Sequence, residues 1–196
     1  MNFLAHIYLT MPSRELTIGN FIGDFVKGSD LTGFSEKISQ GITLHRKIDH
    51  FTDHHSKVKE SKQRLWSSYR HYAGVIIDMY YDHILARNWQ KFSPIPLKDF
   101  TRSFYSLAED FRSIIPEKAN HMLLYMRRDD WLYNYQFIEG IDRALKGMSQ
   151  RTSHISGMEK ASRELKNNLN DFEGHFMSFF PELVSFVKQE REALAS

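Results

Sequence analysis

The stretch GITLHRKIDHFTDHH, residues 41–55, decides the fold that we predict for this chain. As an α-helix it places His45, Asp49 and Asp53 four residues apart, so that their side chains lie on one stripe. Apolar residues beside them in the sequence would bury part of that stripe. Burying an imidazole and carboxylates is costly unless each has a partner, and a bound cation is one such partner. The stretch therefore predicts a helix that carries a metal site.

Polar side chains one helical turn apart recur in three other segments of the first half of the chain. These pairs are Asn2/His6, Asn20/Asp24 and Asp78/Asp82, the last followed directly by His83. Asp24 lies in the apolar run FIGDFV, so we expect its carboxylate to be buried. Gly19 and Gly23 in the same segment would let another helix approach closely. Four such sets together indicate one shared polar site rather than unrelated surface pairs.

The composition favours an all-α fold. The chain has 196 residues, 41% of them hydrophobic and 14% aromatic, which is enough to bury the core of one domain over residues 1–196. Apolar residues recur at helical spacing in every long segment, which predicts a single helical bundle. Helices are expected over residues 1–10, 16–28, 35–55, from 56, over 70–90 and 97–115, from 116, and over 152–194 with a break or kink near Pro181.

Several classes of site and partner are excluded by composition. The chain has no Cys, so any metal must be held by His, carboxylate, carbonyl or water, a donor set typical of manganese, magnesium, iron or zinc. A net charge of +2 does not favour nucleic acid as a partner. Because no apolar run is long enough to cross a bilayer and the start lacks a signal-peptide pattern, we expect a cytoplasmic protein with no membrane partner. The pattern predicts no oligomeric state.

We interpret the polar sets as one metal-centred pocket for hydrolysis of a phosphate ester. The expected metal ligands are His6, Asp24, His45, Asp49 and Asp82, supported by Asn20, Asp53, Asp78 and His83. The metal would activate a water, with Asp24 and Asp49 as catalytic carboxylates. Arg46 would also be catalytic, and Asn20, Lys27 and Arg46 would bind the substrate, the two cations through its phosphate oxygens. No nucleophile elbow, P-loop or dinucleotide-binding motif competes with this reading.

Four segments of the chain resemble the acyl carrier protein phosphodiesterase family: MNFLAH at 1–6, GNFIGDFVKG at 19–28, GITLHRKIDHFTDHH at 41–55 and DHILARNW at 82–89. Weaker matches are Trp131-Leu132, Gly147-Met148 and Arg151. The resemblance implies an all-α fold related to the HD-type metal phosphohydrolases, with a rearranged helix order, and dependence on Mn²⁺ or Mg²⁺. It also implies that the enzyme removes 4′-phosphopantetheine from the serine of holo-acyl carrier protein. Asp24 is the position that the resemblance ties most closely to activity.

Two alternatives keep the fold and change the function. One is an HD-type phosphohydrolase that acts on nucleotides or another small phosphate ester. The other is a non-catalytic helical module that binds an acidic protein through a basic helix, whose cationic residues are Lys57, Lys59, Lys62 and Arg64. That helix face is a docking surface for an acidic carrier protein in our main hypothesis, and a merely solvated face otherwise.

Overall fold

The computed structural model describes residues 1–194 and contains α-helices and short 3₁₀ turns, with no strand in that range, which confirms the all-α class. The α-helices are α1 (Phe3–Thr10), α2 (Arg14–Ile22), α3 (Glu36–His54), α4 (Ser56–Tyr69), α5 (Ala73–Arg87), α6 (Leu97–Asp110), α7 (Glu117–Arg128), α8 (Trp131–Asn134), α9 (Ile138–Ser149), α10 (Ala161–Asn167) and α11 (Leu169–Ala193). The 3₁₀ turns are Gly23–Phe25, Arg70–Tyr72, Trp89–Lys91 and Met158–Lys160. The single domain over residues 1–196 stays a prediction, and its last two residues lie outside the described range.

Helix α3 contains the whole 41–55 stretch except its last residue, as the spacing predicts. Its start is fixed by the Ser35 hydroxyl, which accepts a hydrogen bond from the backbone N–H of Ile38 at 3.4 Å. His55 ends α3, where its backbone N–H donates to the carbonyls of Phe51 and Thr52. The Nδ1 atom of His55 also accepts from the N–H of Lys57 at 3.2 Å, which caps the start of α4. One short junction therefore sets the angle between the two helices.

Helix α2 ends earlier than the sequence pattern predicts. The α-helical hydrogen bonds stop at Ile22, and the chain continues as the 3₁₀ turn that contains Asp24. This change of winding rotates the Asp24 side chain outward, where 62% of its surface is exposed to solvent. The expected burial of Asp24 is therefore wrong, because an apolar run predicts burial only while the regular helix continues.

The break expected near Pro181 is also misplaced. Helix α11 runs without interruption from Leu169 to Ala193, and the chain breaks at Asn168, between α10 and α11. Pro181 lies on the exposed side of α11. The proline removes one helical hydrogen bond, and the helix continues through it without a break.

Helices α2 and α3 pack backbone against backbone through two glycines. A Cβ atom on Gly19 would lie 2.1 Å from the carbonyl oxygen of Ile38, and one on Gly41 would lie 2.3 Å from that of Leu16. Any side chain at either position would push the helices apart. The sequence expectation that Gly19 permits a close helix approach is thus confirmed.

Helix α5 lies at the centre of the core. Its Tyr80 and Tyr81 side chains are fully buried, and their rings pack against aromatic rings of α11, Phe172 for Tyr80 and Phe176 for Tyr81. This burial accounts for the near-continuous apolar character of the helix in the sequence. Within residues 1–194, no helix has the length and apolar character that crossing a membrane requires.

We predict that Gly19→Ala lowers the free energy of unfolding by about 2–3 kcal/mol, since overpacking typically costs about 1–3 kcal/mol and this clash is with backbone. Urea denaturation would measure the change. The matched control is Gly174→Ala on α11, where an added Cβ meets nothing within 4 Å. That substitution should be neutral or stabilising by up to about 1 kcal/mol. Equal losses of stability in the two variants would contradict the close contact.

Candidate metal centre

Two stacked imidazole rings form the centre of the polar cluster. His6 on α1 and His45 on α3 are both buried, with ring centroids 4.1 Å apart and ring planes 20° from parallel. Asp49, one turn after His45, spans the pair: its Oδ1 lies 3.2 Å from His6 Nε2 and its Oδ2 lies 3.1 Å from His45 Nε2. Ligand atoms of these three residues all lie within 4.8 Å of one another.

Asn20 on α2 fixes the orientation of both rings. Its Nδ2 donates to the backbone carbonyl of His6 at 2.9 Å, which leaves Oδ1 as the acceptor for His6 Nδ1, also at 2.9 Å. The backbone carbonyl of Asn20 accepts from Nδ1 of His45 at 2.8 Å. Each ring therefore carries a proton on Nδ1, so that in its neutral form Nε2 holds a lone pair.

Nε2 of each ring faces a carboxylate oxygen of Asp49, at 3.2 Å for His6 and 3.1 Å for His45. Burial lowers the pKa of His6, and the charge of His45 lowers it further, so His6 is neutral near pH 7. Burial also lowers the pKa of His45, but hydrogen bonds to Asp24 and Asp49 outweigh it and raise this pKa to about 9. A neutral His6 then presents a lone pair to Asp49 Oδ1 at 3.2 Å. A cation bound by both groups would stabilise two acceptors placed this close together.

Asp24 lies on the open side of the cluster. Its Oδ1 is 3.2 Å from His45 Nε2, and this contact holds the pKa of Asp24 below its usual range. The adjacent Gly23 makes room for the imidazole, because a Cβ there would lie 2.3 Å from Cγ of His45. The sequence predicted a close approach at Gly23, and the approaching group is the His45 ring.

Asp82 lies apart from these donor atoms. Its Oδ2 accepts from the N–H of Leu4 at 2.7 Å and its Oδ1 accepts from the N–H of Ala5 at 3.2 Å. The fully buried carboxylate thereby caps the start of α1, and burial raises its pKa to about 7. With both oxygens engaged by amides, Asp82 positions the helix that carries His6, and the structure does not bring it to the cluster as a ligand.

The three other supporting residues have separate partners. Asp78 Oδ1 lies 3.1 Å from the α-amino group of Met1, which is also 3.7 Å from Asp49 Oδ1. The exposed carboxylate of Asp53 pairs with Lys62 at 2.6 Å, although Asp53 is only one turn beyond Asp49. His83 Nδ1 donates to the backbone carbonyl of Tyr135 at 2.7 Å. Of this group, Asp78 alone is linked to the cluster, through the Met1 amine.

The three expected substrate-binding residues differ in their surroundings. Arg46 Nη2 donates to the backbone carbonyls of Val26 at 3.0 Å and Gly28 at 2.7 Å, which fastens the loop that follows Asp24. Lys27 lies exposed in that loop. Asn20 is completely buried, and both polar atoms of its side chain bind His6. The contacts of Asn20 are those of a positioning residue.

The basic residues of α4 are largely paired with acids. Lys57 lies 2.9 Å from Glu60, Lys62 lies 2.6 Å from Asp53, and Arg64 lies 3.0 Å from Asp171. These ion pairs reduce the net positive charge that the helix presents to an acidic partner. They favour the solvated-face interpretation, while docking of a carrier protein on this face stays a prediction.

We predict that His6→Ala and Asp49→Ala each weaken Mn²⁺ binding by about a hundredfold or more, since removing only an outer partner of a metal ligand already costs about 10–100-fold. Isothermal titration calorimetry would measure the affinity, and circular dichroism would confirm the fold. The matched control is Asp53→Ala, which removes an exposed carboxylate on the same helix. It should leave the affinity unchanged. An Asp49→Ala variant that binds Mn²⁺ as tightly as the parent would refute the site.

Comparison with known proteins identifies the family of the chain. A family model described as acyl carrier protein phosphodiesterase matches residues 1–183. The protein of that name from Photorhabdus laumondii is 31% identical over 94% of this chain and 93% of its own length. The one from Enterobacter sp. (strain 638) is 30% identical over 97% of this chain and 100% of its own. The one from Escherichia coli O6:H1 is 30% identical over 99% of this chain and 100% of its own. No solved structure matches the chain significantly, so the relation to the HD-type fold stays a prediction. The chain belongs to the acyl carrier protein phosphodiesterase family.

Proposed function

We propose that this protein hydrolyses the phosphodiester that links 4′-phosphopantetheine to a serine of holo-acyl carrier protein, with apo-carrier and 4′-phosphopantetheine as products. The family membership supports the substrate. The observation that carries the chemistry is the convergence of His6 Nε2, His45 Nε2 and the Asp49 carboxylate at 3.1–3.2 Å, with both ring tautomers set by Asn20. This arrangement supports a divalent metal as cofactor.

The donor set also supports a choice of metal. His6, His45 and Asp49 would hold the ion, and a divalent metal bound there supplies an activated water and positive charge for the phosphoryl oxygens. Mg²⁺ prefers oxygen ligands in octahedral geometry, whereas two imidazoles and a carboxylate are better matched to a transition metal. Of Mn²⁺ and Mg²⁺, this donor set favours Mn²⁺.

Asp24 is proposed as the residue that accepts the proton from the attacking water. Its carboxylate is the most exposed acid of the cluster and is held ionised by the contact with His45. General-base catalysis needs such an ionised group within hydrogen-bond reach of the nucleophile. The buried carboxylate of Asp82, whose two oxygens each accept from a backbone amide, has no comparable access.

Arg46 is proposed to bind a non-bridging oxygen of the phosphodiester. Only its Nη2 is hydrogen-bonded among residues 1–194, so its remaining N–H groups are free to donate. Lys27, exposed in the neighbouring loop, adds a second positive charge. The family favours a carrier protein over nucleotides. The convergence of two imidazoles and a carboxylate within 4.8 Å of one another argues against a non-catalytic module.

The direct test is mass spectrometry of holo-acyl carrier protein after incubation with the protein and Mn²⁺. We expect the carrier to lose the mass of the 4′-phosphopantetheine group and expect a chelator to prevent the loss. A parallel incubation with a panel of nucleotides is the control for substrate class. Hydrolysis of nucleotides with an unchanged carrier would overturn the proposal.

Two variants in the same assay separate the proposed roles. Asp24→Ala should reduce turnover by about 10²–10⁴-fold, the usual contribution of a general base. Arg46→Lys should reduce kcat/KM by about 10–100-fold, because one charge-assisted hydrogen bond contributes about 1.5–3 kcal/mol. Neither should change the melting temperature greatly. If Arg46→Lys instead loses metal or unfolds, Arg46 acts only by holding the loop.

A further inference from the structure

A cavity of about 800 Å³ is lined in part by Phe3 and Phe25, which are close in sequence to residues of the candidate metal centre, and the proposed chemistry does not use it. Its walls come from α1, the 3₁₀ turn at Gly23–Phe25, helices α7 to α9 and the loops that flank α8 and α9. Small-molecule sites in proteins typically have volumes of about 300–1,000 Å³. The cavity therefore has the size of a ligand site and joins the second half of the chain to the candidate centre.

Two phenylalanines connect the cavity to the catalytic residues. Phe25 follows Asp24 directly, and Phe3 lies one helical turn before His6 on α1; both line the cavity. The buried ring of Phe21 packs between them, with centroids 5.6 Å from Phe3 and 6.4 Å from Phe25. One end of the cavity is thus formed by side chains whose neighbours belong to the metal centre.

The lining is apolar with a few polar groups. Phe25, Met122, Trp131 and Met148 are only partly buried, although each faces this space. Polar groups are supplied by Asn134, Arg143 and Arg151 among others. Such a lining is matched to a flexible, largely uncharged chain that carries both methyl groups and amides. The charged side chains of the lining are Asp129, Arg143 and Arg151. Their small net positive charge is less than a nucleotide polyphosphate requires.

We propose that this cavity binds the pantetheine arm of the holo-carrier while the phosphodiester lies at the metal centre, an inference that rests on the proposed function. Phosphorus in this substrate bears two organic groups, a serine and the arm. The serine belongs to a folded protein, which cannot enter a cavity of about 800 Å³. The arm is a thin chain with a gem-dimethyl group, a hydroxyl, two amides and a thiol, so it is the group that fits.

Binding of the arm would contribute to catalysis at a distance from the reacting bond. Interactions with non-reacting parts of a substrate hold the reacting group in place, so their loss lowers kcat/KM. A substrate without the arm gains nothing from the cavity. Filling the cavity should therefore affect only a substrate that carries the arm, which distinguishes arm binding from general damage to the centre.

The test compares Ala144→Trp, which fills the cavity from α9, with Leu124→Trp, which adds the same bulk at an exposed position on α7 outside it. Each variant is assayed with holo-carrier and with bis(p-nitrophenyl) phosphate, both with Mn²⁺. We expect Ala144→Trp to lower kcat/KM for holo-carrier at least tenfold with little change for the small diester. Leu124→Trp should change neither. Met148→Trp is the second cavity variant if Ala144→Trp does not fold.

A binding measurement gives a readout that is independent of turnover. Free pantetheine, which lacks the phosphate, should change the tryptophan fluorescence of the wild-type protein, and Trp131→Phe or Ala144→Trp should abolish that change. Equal losses on both substrates, or an unchanged kcat/KM for holo-carrier in the cavity variants, would overturn arm binding. If the wild-type protein leaves holo-carrier intact, the proposed function fails; a pantetheine signal that depends on Trp131 would then still assign the cavity.

Discussion

The contact on which the site depends is the backbone packing of α2 against α3 at Gly19 and Gly41. A Cβ on either glycine would lie 2.1–2.3 Å from a backbone carbonyl oxygen of the other helix. The helices therefore cannot approach so closely with any residue other than glycine at these two positions. The close approach brings the carbonyl group of Asn20 to 2.8 Å from Nδ1 of His45. The orientation of His45, a proposed metal ligand, is therefore set by the backbone of a neighbouring helix, which no side-chain rearrangement can undo.

Helix α1 joins this pair through two further polar contacts. Asn20 binds both the ring and the backbone carbonyl of His6, while Asp82 on α5 caps the amides of Leu4 and Ala5. Each contact satisfies a buried polar group, so their loss would leave unpaired donors at a cost of about 1–3 kcal/mol apiece. The position of His6 is thus determined from two sides. His6 and His45 are far apart in sequence, so these contacts between helices are what bring the two rings together.

The sequence predicted the parts of the site that depend on helical periodicity. His45 and Asp49 share a face because they are one turn apart in a helix whose cap, Ser35, is also readable from the sequence. Helical periodicity predicts on which face of its helix a residue lies, but not which other element packs against that face. Asp53 and Asp82 occupy the predicted stripes, yet one pairs with Lys62 and the other with amides 77–78 residues away in the chain. Asp24 was misjudged because its helix changes winding at Gly23.

The cavity was beyond prediction from periodicity because its walls come from helices that are distant in sequence. Only the weak family matches at Trp131-Leu132, Gly147-Met148 and Arg151 point to that region, and all of these residues except Leu132 line the cavity. These scattered positions therefore line the same cavity as Phe3 and Phe25. Phe3 and Phe25 of the N-terminal segments contribute to this wall as well as packing against the core.

The most direct measurement of the central claim is anomalous X-ray scattering from crystals grown with Mn²⁺, with data collected above and below the manganese absorption edge. The account predicts an anomalous peak enclosed by His6 Nε2, His45 Nε2 and the Asp49 carboxylate, absent from crystals of Asp49→Ala. A peak on other residues, or none at this position with Mn²⁺ in excess, would contradict it. In that case protons on the histidines, rather than a metal, would explain how these acceptors come to face one another.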